Sequence, residues 1–95
     1  MLITVDTGGT KTLIAAFNHK GAVVRDTKFP TPRDVSEYID LVTSTIRELC
    51  GDETPSAICI ALPGIIKNNV AAWCPNLGWH DEPIYQLMKR RFDCP

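Results

Sequence analysis

The 95-residue chain lacks the features that would identify a membrane protein or a nucleic-acid-binding protein. No apolar run approaches the roughly 20 residues that cross a bilayer as a helix. The net charge is −1 with both signs interspersed, so the sequence predicts no basic surface for nucleic acid or for an acidic membrane. The first residues read as a strand with no charged segment before it, which argues against a signal peptide. We therefore expect neither nucleic acid nor a membrane among its partners.

Paired cysteine motifs are also missing. The four cysteines, Cys50, Cys59, Cys74 and Cys94, form no C-x-x-C pair, and no matching pair of histidines accompanies them. The sequence therefore predicts neither a zinc site nor a disulfide framework, and reduced thiols in the cytoplasm are the simpler expectation. We expect Cys59, which lies within an apolar run, to be a small core residue.

What the sequence does contain is an ordinary globular composition, 44% hydrophobic and 22% charged. The length fits one small domain or a part of a larger one. Apolar residues form runs near positions 2–5, 13–17 and 22–29, and the second and third runs are separated by a tight-turn sequence ending at Gly21. These runs predict an antiparallel meander whose third, more polar strand lies near a sheet edge.

A helix is predicted next. Thr31 and Asp34 both suit an N-cap, Pro32 suits the first turn, and Glu37 follows Asp34 at capping-box spacing. Gly51 suits the position just after the helix. The apolar side chains repeat at helical spacing and form one stripe: Val35, Tyr38, Ile39, Val42, Ile46 and Leu49.

Two further elements are predicted after this helix. Residues 57–62 are apolar throughout, as expected of a parallel strand buried on both faces. Asp81, Glu82 and Pro83 are expected to open a second helix, and the basic residues 89–91 would complement the dipole at its end. The predicted order is β-β-β-α-β-α, an α/β fold with a mixed sheet.

The most distinctive stretch is VDTGGTKT, residues 5–12, which follows directly on the first apolar run. Its adjacent glycines allow backbone N–H groups to approach an anion. The stretch does not match G-x-x-x-x-G-K-[ST], because Thr10 stands where the glycine before the lysine belongs. It does not match G-x-G-x-x-G either, because it leads into a strand and not a helix. On spacing alone, a phosphate loop and a simple Gly-Gly hairpin turn are equally compatible with it.

The polar side chains around the glycines suggest how a phosphate could be held. Thr10 and Thr12 offer hydroxyl donors, and Lys11 could neutralise charge or point to solvent. Asp6 ends the first strand and would repel a phosphate unless a Mg²⁺ ion, bound through water, stood between them.

Three stretches together carry a resemblance to a known family. VDTGGTKT (5–12), ALPGII (61–66) and CPNLGW (74–79) occur in an order and at separations similar to those of the ROK family of sugar kinases. TPRD (31–34) also resembles the entry to the first helix in many members. The chain resembles the N-terminal portion of this family, which implies the ribonuclease-H-like fold of the actin-like ATPase superfamily.

The resemblance implies ATP-dependent phosphorylation of a glucose-like hexose at its 6-hydroxyl. Asp6 would help to position Mg²⁺, Gly64 would offer its backbone to the sugar, and Asn76 would hydrogen-bond sugar hydroxyls. The ATP phosphates would be lined by Gly8, Gly9, Thr10, Lys11 and Thr12. A turn role is an equal alternative for Gly64. Asn76 also suits a turn, but the Gly-Trp that follows it favours the binding role.

No catalytic residue is expected among these 95 residues. The family's Asn-Asp pair, whose aspartate is the general base, would lie beyond Pro95, and Asp93 does not match it. The family's zinc motif, second phosphate loop and adenosine-binding half are likewise expected outside the chain. We therefore expect residues 1–95 to be a partial N-terminal kinase domain, inactive by itself. Its fourth strand would have an open edge that favours self-association or strand exchange.

Two alternatives from other classes stay open. A sugar-responsive transcriptional regulator would carry a helix-turn-helix before the glycine loop, where a strand begins at Leu2 instead. A non-catalytic folded module would use Gly8 and Gly9 only as a turn, and Mg-nucleotide would not perturb it. Among acceptors, N-acetylated amino sugars are chemically close to glucose.

Overall fold

The computed structural model describes residues 1–95 and contains a four-stranded mixed sheet. Strands β1 (Leu2–Thr7), β2 (Lys11–Phe17) and β3 (Val23–Pro30) form an antiparallel meander. After helix α1 (Val35–Cys50), strand β4 (Ala57–Ala61) pairs with β1 in parallel, so the order is β3-β2-β1-β4. The predicted α/β fold, the meander and the edge position of the third strand are confirmed.

Helix α1 forms as its caps and apolar stripe predict. The Asp34 carboxylate accepts a hydrogen bond from the Glu37 N–H at 3.0 Å and so caps the N-terminus. At the other end, Gly51 adopts a φ of 60°, and its N–H donates to the Arg47 carbonyl at 3.1 Å. The predicted stripe is buried from Tyr38 to Leu49, with Val35 half-buried at its start.

A second, three-stranded sheet follows β4 and was not predicted. It consists of β5 (Ile65–Lys67), β6 (Val70–Cys74) and β7 (Trp79–Glu82), all antiparallel. Asp81 and Glu82 therefore end a strand, and the short helix α2 (Ile84–Lys89) begins only after Pro83. The predicted helix start is corrected by three residues, because the antiparallel pairing with β6 extends to Glu82.

The expectation for β4 is half right. The strand is parallel to β1, but it lies at the edge of its sheet, and Cys59 is exposed. Cys59 is thus not a core residue, and the apolar composition of β4 reflects burial of one face, where Ile58 and Ile60 pack against the core.

One apolar core joins the two sheets and both helices. The four-stranded sheet contributes Ile3, Val5, Ile14 and Ala16 on the face that α1 covers. From the second sheet and the turn that follows β6 come Ala71, Cys74, Leu77 and Trp79, and from α2 come Ile84 and Met88. Neither helix is both long enough and apolar enough to cross a membrane. The shared core fixes the carboxyl end of β1 relative to the β6–β7 turn.

Candidate functional site

The glycine loop, residues 8–10, is a tight connection between β1 and β2. The last cross-strand pair is Thr7 with Thr12, and the Gly8 N–H donates to the Lys11 carbonyl at 2.9 Å. A Cβ on Gly8 would lie 3.0 Å from that same carbonyl oxygen. The turn therefore favours glycine at position 8 for lack of space.

Two backbone donors of the loop are free. The N–H groups of Gly9 and Thr10 have no hydrogen-bond partner in the protein, whereas the neighbouring Gly8 N–H is used within the turn. Thr10 is exposed and Gly9 is half-buried. Adjacent free N–H groups in a loop without bulky side chains are suited to an anion such as a phosphate.

Asp6 and Lys11 lie beside this loop on one face of the sheet. In β1, Val5 and Thr7 point to the core, so Asp6 faces the opposite, exposed side. Lys11 lies two residues before Leu13, the cross-strand partner of Asp6, and is also exposed. One carboxylate and one ammonium group therefore flank the free N–H groups, a donor set that fits a phosphate accompanied by Mg²⁺. No three His, Cys, Asp or Glu side chains lie close enough together to hold a metal by themselves.

Thr12 is placed differently from the rest of residues 8–12. It is fully buried, and its hydroxyl lies 2.7 Å from the Thr31 hydroxyl. The Thr31 hydroxyl in turn donates to the Gly8 carbonyl at 2.9 Å, so Thr12 supplies the proton between the two hydroxyls. Thr12 thus supports the loop from the core side, and its hydroxyl does not face solvent.

The β6–β7 turn, residues 75–78, packs directly against the glycine loop. A Cβ on Gly9 would lie 2.9 Å from the Asn76 Cβ, so only glycine at position 9 allows this approach. Asn76 is exposed, and its side-chain amide makes no hydrogen bond within the protein. The structure therefore brings Gly9 and Asn76, predicted for phosphate and for sugar, into contact.

Gly64 lies next to the same turn, but it is held by packing. A Cβ there would come within 2.1 Å of the Trp73 carbonyl oxygen and 2.9 Å of the Cys74 Sγ. Its N–H donates to the Leu62 carbonyl at 3.0 Å and is therefore occupied. Glycine at this position lets the β4–β5 connection touch β6, which brings all three family-like stretches together.

A buried network behind the loop was not predicted from the sequence. The hydroxyls of Thr7 and Tyr38 are 2.6 Å apart, and the Tyr38 ring meets Trp79 edge to face at 4.9 Å between centroids. Burial is the main cause that raises the pKa of Tyr38 to about 12, so the phenol stays protonated. The Trp79 indole N–H donates to the Arg33 carbonyl at 2.7 Å.

Thr31 and Arg33 are the residues that sequence reasoning missed at this site. Thr31 was considered only as a cap, yet it contacts the glycine loop. Arg33 donates from its guanidinium to the Asn76 carbonyl at 2.6 Å. The signal available was the TPRD stretch, which had been interpreted only as a helix entry.

Comparison with known proteins shows a family match over nearly the whole chain. The model of the ROK family matches residues 2–95. The glucokinase of Streptomyces coelicolor is 25% identical over 97 residues, a match that covers all of this chain and 31% of that enzyme. The chain thus spans about a third of the length of the glucokinases it matches.

Solved structures show the same fold. A ROK family glucokinase from Streptomyces griseus, solved with glucose and AMPPNP, superimposes with a TM-score of 0.87 at 23% identity, over 99% of this chain and 31% of that one. A ROK family transcriptional regulator superimposes with a TM-score of 0.82 at 18% identity, over 99% of this chain and 26% of that one. Kinases and a regulator therefore share this arrangement of strands and helices.

Proposed function

Because the chain belongs to the ROK family, we propose that it supplies the phosphate loop and part of the sugar surface of an ATP-dependent hexose kinase. The proposed reaction transfers a phosphoryl group from ATP to the 6-hydroxyl of a glucose-like hexose. The observation that carries the proposal is the contact between Gly9 and Asn76, since it brings a free-donor loop and a free amide side by side. The glucokinase relatives support the same reaction.

On the nucleotide side, the N–H groups of Gly9 and Thr10 would bind phosphate oxygens, and Lys11 would balance their charge. Asp6 would hold Mg²⁺ through water, and the ion would neutralise the charge that develops on the phosphates. Gly8 and Thr12 would shape the loop: Gly8 closes the turn, and Thr12 supports it from the core. The family, including an AMPPNP-bound neighbour, supports ATP as the nucleotide.

On the sugar side, the exposed Asn76 amide can both donate to and accept from vicinal hydroxyls. Gly64 would contribute its main chain near the same turn. Solved neighbours include complexes with glucose and with sucrose, which supports a sugar as the ligand. Four unpaired cysteines fit a reducing compartment, so we propose the cytoplasm as the location.

Binding of a fluorescent ATP analogue tests the nucleotide half of the proposal. With Mg²⁺ present, we expect Lys11→Ala to weaken binding about tenfold, because a charge-assisted contact to phosphate contributes about 1.5–3 kcal/mol. The matched control is Lys20→Ala, an exposed lysine just beyond the other end of β2. Equal affinities for the two variants would contradict the phosphate role of the loop.

Hexose-dependent ADP formation tests the reaction. A chimera in which residues 1–95 replace the matching stretch of the Streptomyces coelicolor glucokinase is expected to consume ATP only when glucose is present. Lys11→Ala should lower this activity and Lys20→Ala should not. A folded chimera that binds neither nucleotide nor glucose would contradict the kinase proposal, whereas glucose binding without nucleotide binding would favour a sugar-sensor role.

A further inference from the structure

The connection between β3 and α1 touches both halves of the candidate site. Its Thr31 forms three hydrogen bonds with the glycine loop and the start of β2. The Thr31 N–H donates to the Thr10 carbonyl at 2.9 Å, and the Thr31 hydroxyl donates to the Gly8 carbonyl at 2.9 Å. The same hydroxyl accepts from Thr12 at 2.7 Å. One side chain thus connects the loop to the buried side of β2.

Two residues later, the same connection holds the β6–β7 turn. The Arg33 guanidinium donates to the Asn76 carbonyl at 2.6 Å, and the Arg33 carbonyl accepts from the Trp79 indole at 2.7 Å. Trp79 is 2% exposed, so this second contact is anchored in the core. The turn is therefore held at both its tip and its end by one residue.

We propose that Thr31 and Arg33 are positioning residues, Thr31 for the glycine loop and Arg33 for the sugar-side turn. This inference deepens the proposed function and rests on it for the identity of the two ligands. Arg33 directly precedes the N-cap Asp34 and Thr31 lies three residues before it, so both are close to the rigid start of α1. Their spacing along the chain then sets the separation between the phosphate donors and Asn76.

The hydrogen bonds of Thr31 matter because the loop that they hold contains two adjacent glycines. Adjacent glycines lose more conformational entropy on ordering than any other residues. A loop that is already ordered before the ligand arrives does not incur this cost at binding, which raises affinity. Two of the three bonds of Thr31 act on the carbonyls of Gly8 and Thr10, and the third joins the Thr12 hydroxyl. The N–H groups of Gly9 and Thr10 therefore stay free.

Two substitutions at Thr31 test its positioning role for the glycine loop. Thr31→Val keeps the shape but removes the hydroxyl, whereas Thr31→Ser keeps the hydroxyl. We expect Thr31→Val to speed amide hydrogen exchange at Gly8 about tenfold and to weaken binding of the fluorescent ATP analogue by a similar factor. Thr31→Ser should stay within about threefold of the wild type. The matched control is Thr4→Val, an exposed threonine on β1 whose hydroxyl has no partner in the protein.

Arg33→Met tests the positioning role of Arg33. Because the Arg33 side chain is exposed, this variant is expected to fold and remains informative if Thr31→Val does not. We expect faster exchange at Leu77 and Gly78 and displaced amide resonances around Asn76, with Gly8 unchanged. If Arg33→Met leaves the turn as in the wild type, or if Thr31→Ser loses as much as Thr31→Val, the inference is overturned. If the wild type binds no nucleotide, the proposed function fails, and the exchange rates alone still decide the positioning roles.

Discussion

At the scale of single residues, the pair formed by Thr7 and Tyr38 shows how the conspicuous glycine stretch depends on an inconspicuous partner. Thr7 belongs to the stretch, but its side chain is buried and its hydroxyl lies 2.6 Å from the Tyr38 hydroxyl. Tyr38 was predicted from the helical stripe as an apolar core residue. The pattern of residues cannot show that the phenol also satisfies a buried hydroxyl from β1, because the two residues are distant in sequence.

This pair predicts a specific dependence of stability on pH. The pKa of Tyr38 is raised to about 12 in the folded chain, chiefly by burial, whereas an unfolded tyrosine titrates near 10. The stabilisation is therefore complete below about pH 10 and is lost as pH rises from about 10 to about 12. Urea unfolding of the wild type should show a loss of about 2–3 kcal/mol over this range that is absent in Tyr38→Phe.

The control for this measurement is Tyr85→Phe, because Tyr85 is 47% exposed. It should retain the full alkaline loss of stability. At neutral pH, Tyr38→Phe should cost about 1–2 kcal/mol, since the Thr7 hydroxyl is left buried without its partner. Identical alkaline slopes in both phenylalanine variants would show that Tyr38 ionises as freely when folded as when unfolded.

Cys59 shows that the burial of a strand residue cannot be predicted from its apolar neighbours alone. Its apolar neighbours predicted a core position, but the chain places it at a sheet edge with its side chain exposed. Which face of a strand is covered depends on what packs there, and residue types alone do not contain that information. By contrast, a tight turn at Gly8 and Gly9 was one of the two interpretations of the sequence, and the structure shows that a Cβ at either position would be crowded.

At the scale of elements, a helix or strand could be predicted where its own sequence carries caps or a sustained apolar pattern. Helix α1 carries its own C-terminal glycine and apolar stripe, so its existence and its end follow from the sequence. Its start does not, because Thr31 and Asp34 both suited an N-cap and the structure uses Asp34. Strands β5, β6 and β7 have three to five residues each and no sustained alternation, which hid the second sheet. The sequence signal for the β5–β6 hairpin was the pair Asn68-Asn69, because asparagine tolerates positive φ. In the structure both residues adopt positive φ (53° and 64°), as a two-residue hairpin turn requires.

Strand β4 presents unpaired backbone groups at the edge of the four-stranded sheet. It ends the sheet, and the Ile58 N–H already donates outward to the Pro95 carbonyl at 2.9 Å. Because strand residues alternate in direction, the N–H and carbonyl of Ile60 point to the same edge. An edge with unpaired backbone groups can template pairing with another strand.

We therefore predict self-association through β4. Sedimentation velocity under reducing conditions should show an average mass that rises with concentration. Cys59→Lys should suppress this rise, because a lysine on an edge strand disfavours edge-to-edge pairing. Ser44→Lys adds the same charge on an exposed position of α1 and should behave as the wild type does. A wild type that sediments as a monomer at every concentration would exclude association through this edge.

At the scale of the whole molecule, the chain brings together three stretches, 5–12, 61–66 and 74–79, that are separated by 48 and 7 residues of sequence. The glycine loop meets Asn76 through Gly9, Gly64 meets β6, and the 31–33 connection contacts both the loop and the turn. The resemblance to ROK kinases identified the stretches, and the family match confirms it. The contacts among them depend on the second sheet, which was not predicted, so the sequence indicated the candidate residues but not how they come together.

The most direct test of this assembly is an NMR titration of the isotopically labelled chain, first with Mg-ATP and then with glucose. We expect amide shifts concentrated at Gly8 to Lys11 with the nucleotide and around Asn76 and Gly64 with the sugar. Shifts at both places would show that the two half-sites form within these 95 residues. A well-dispersed, folded spectrum that neither ligand changes would rule out both half-sites in this chain, because the glycine loop would then be only a turn.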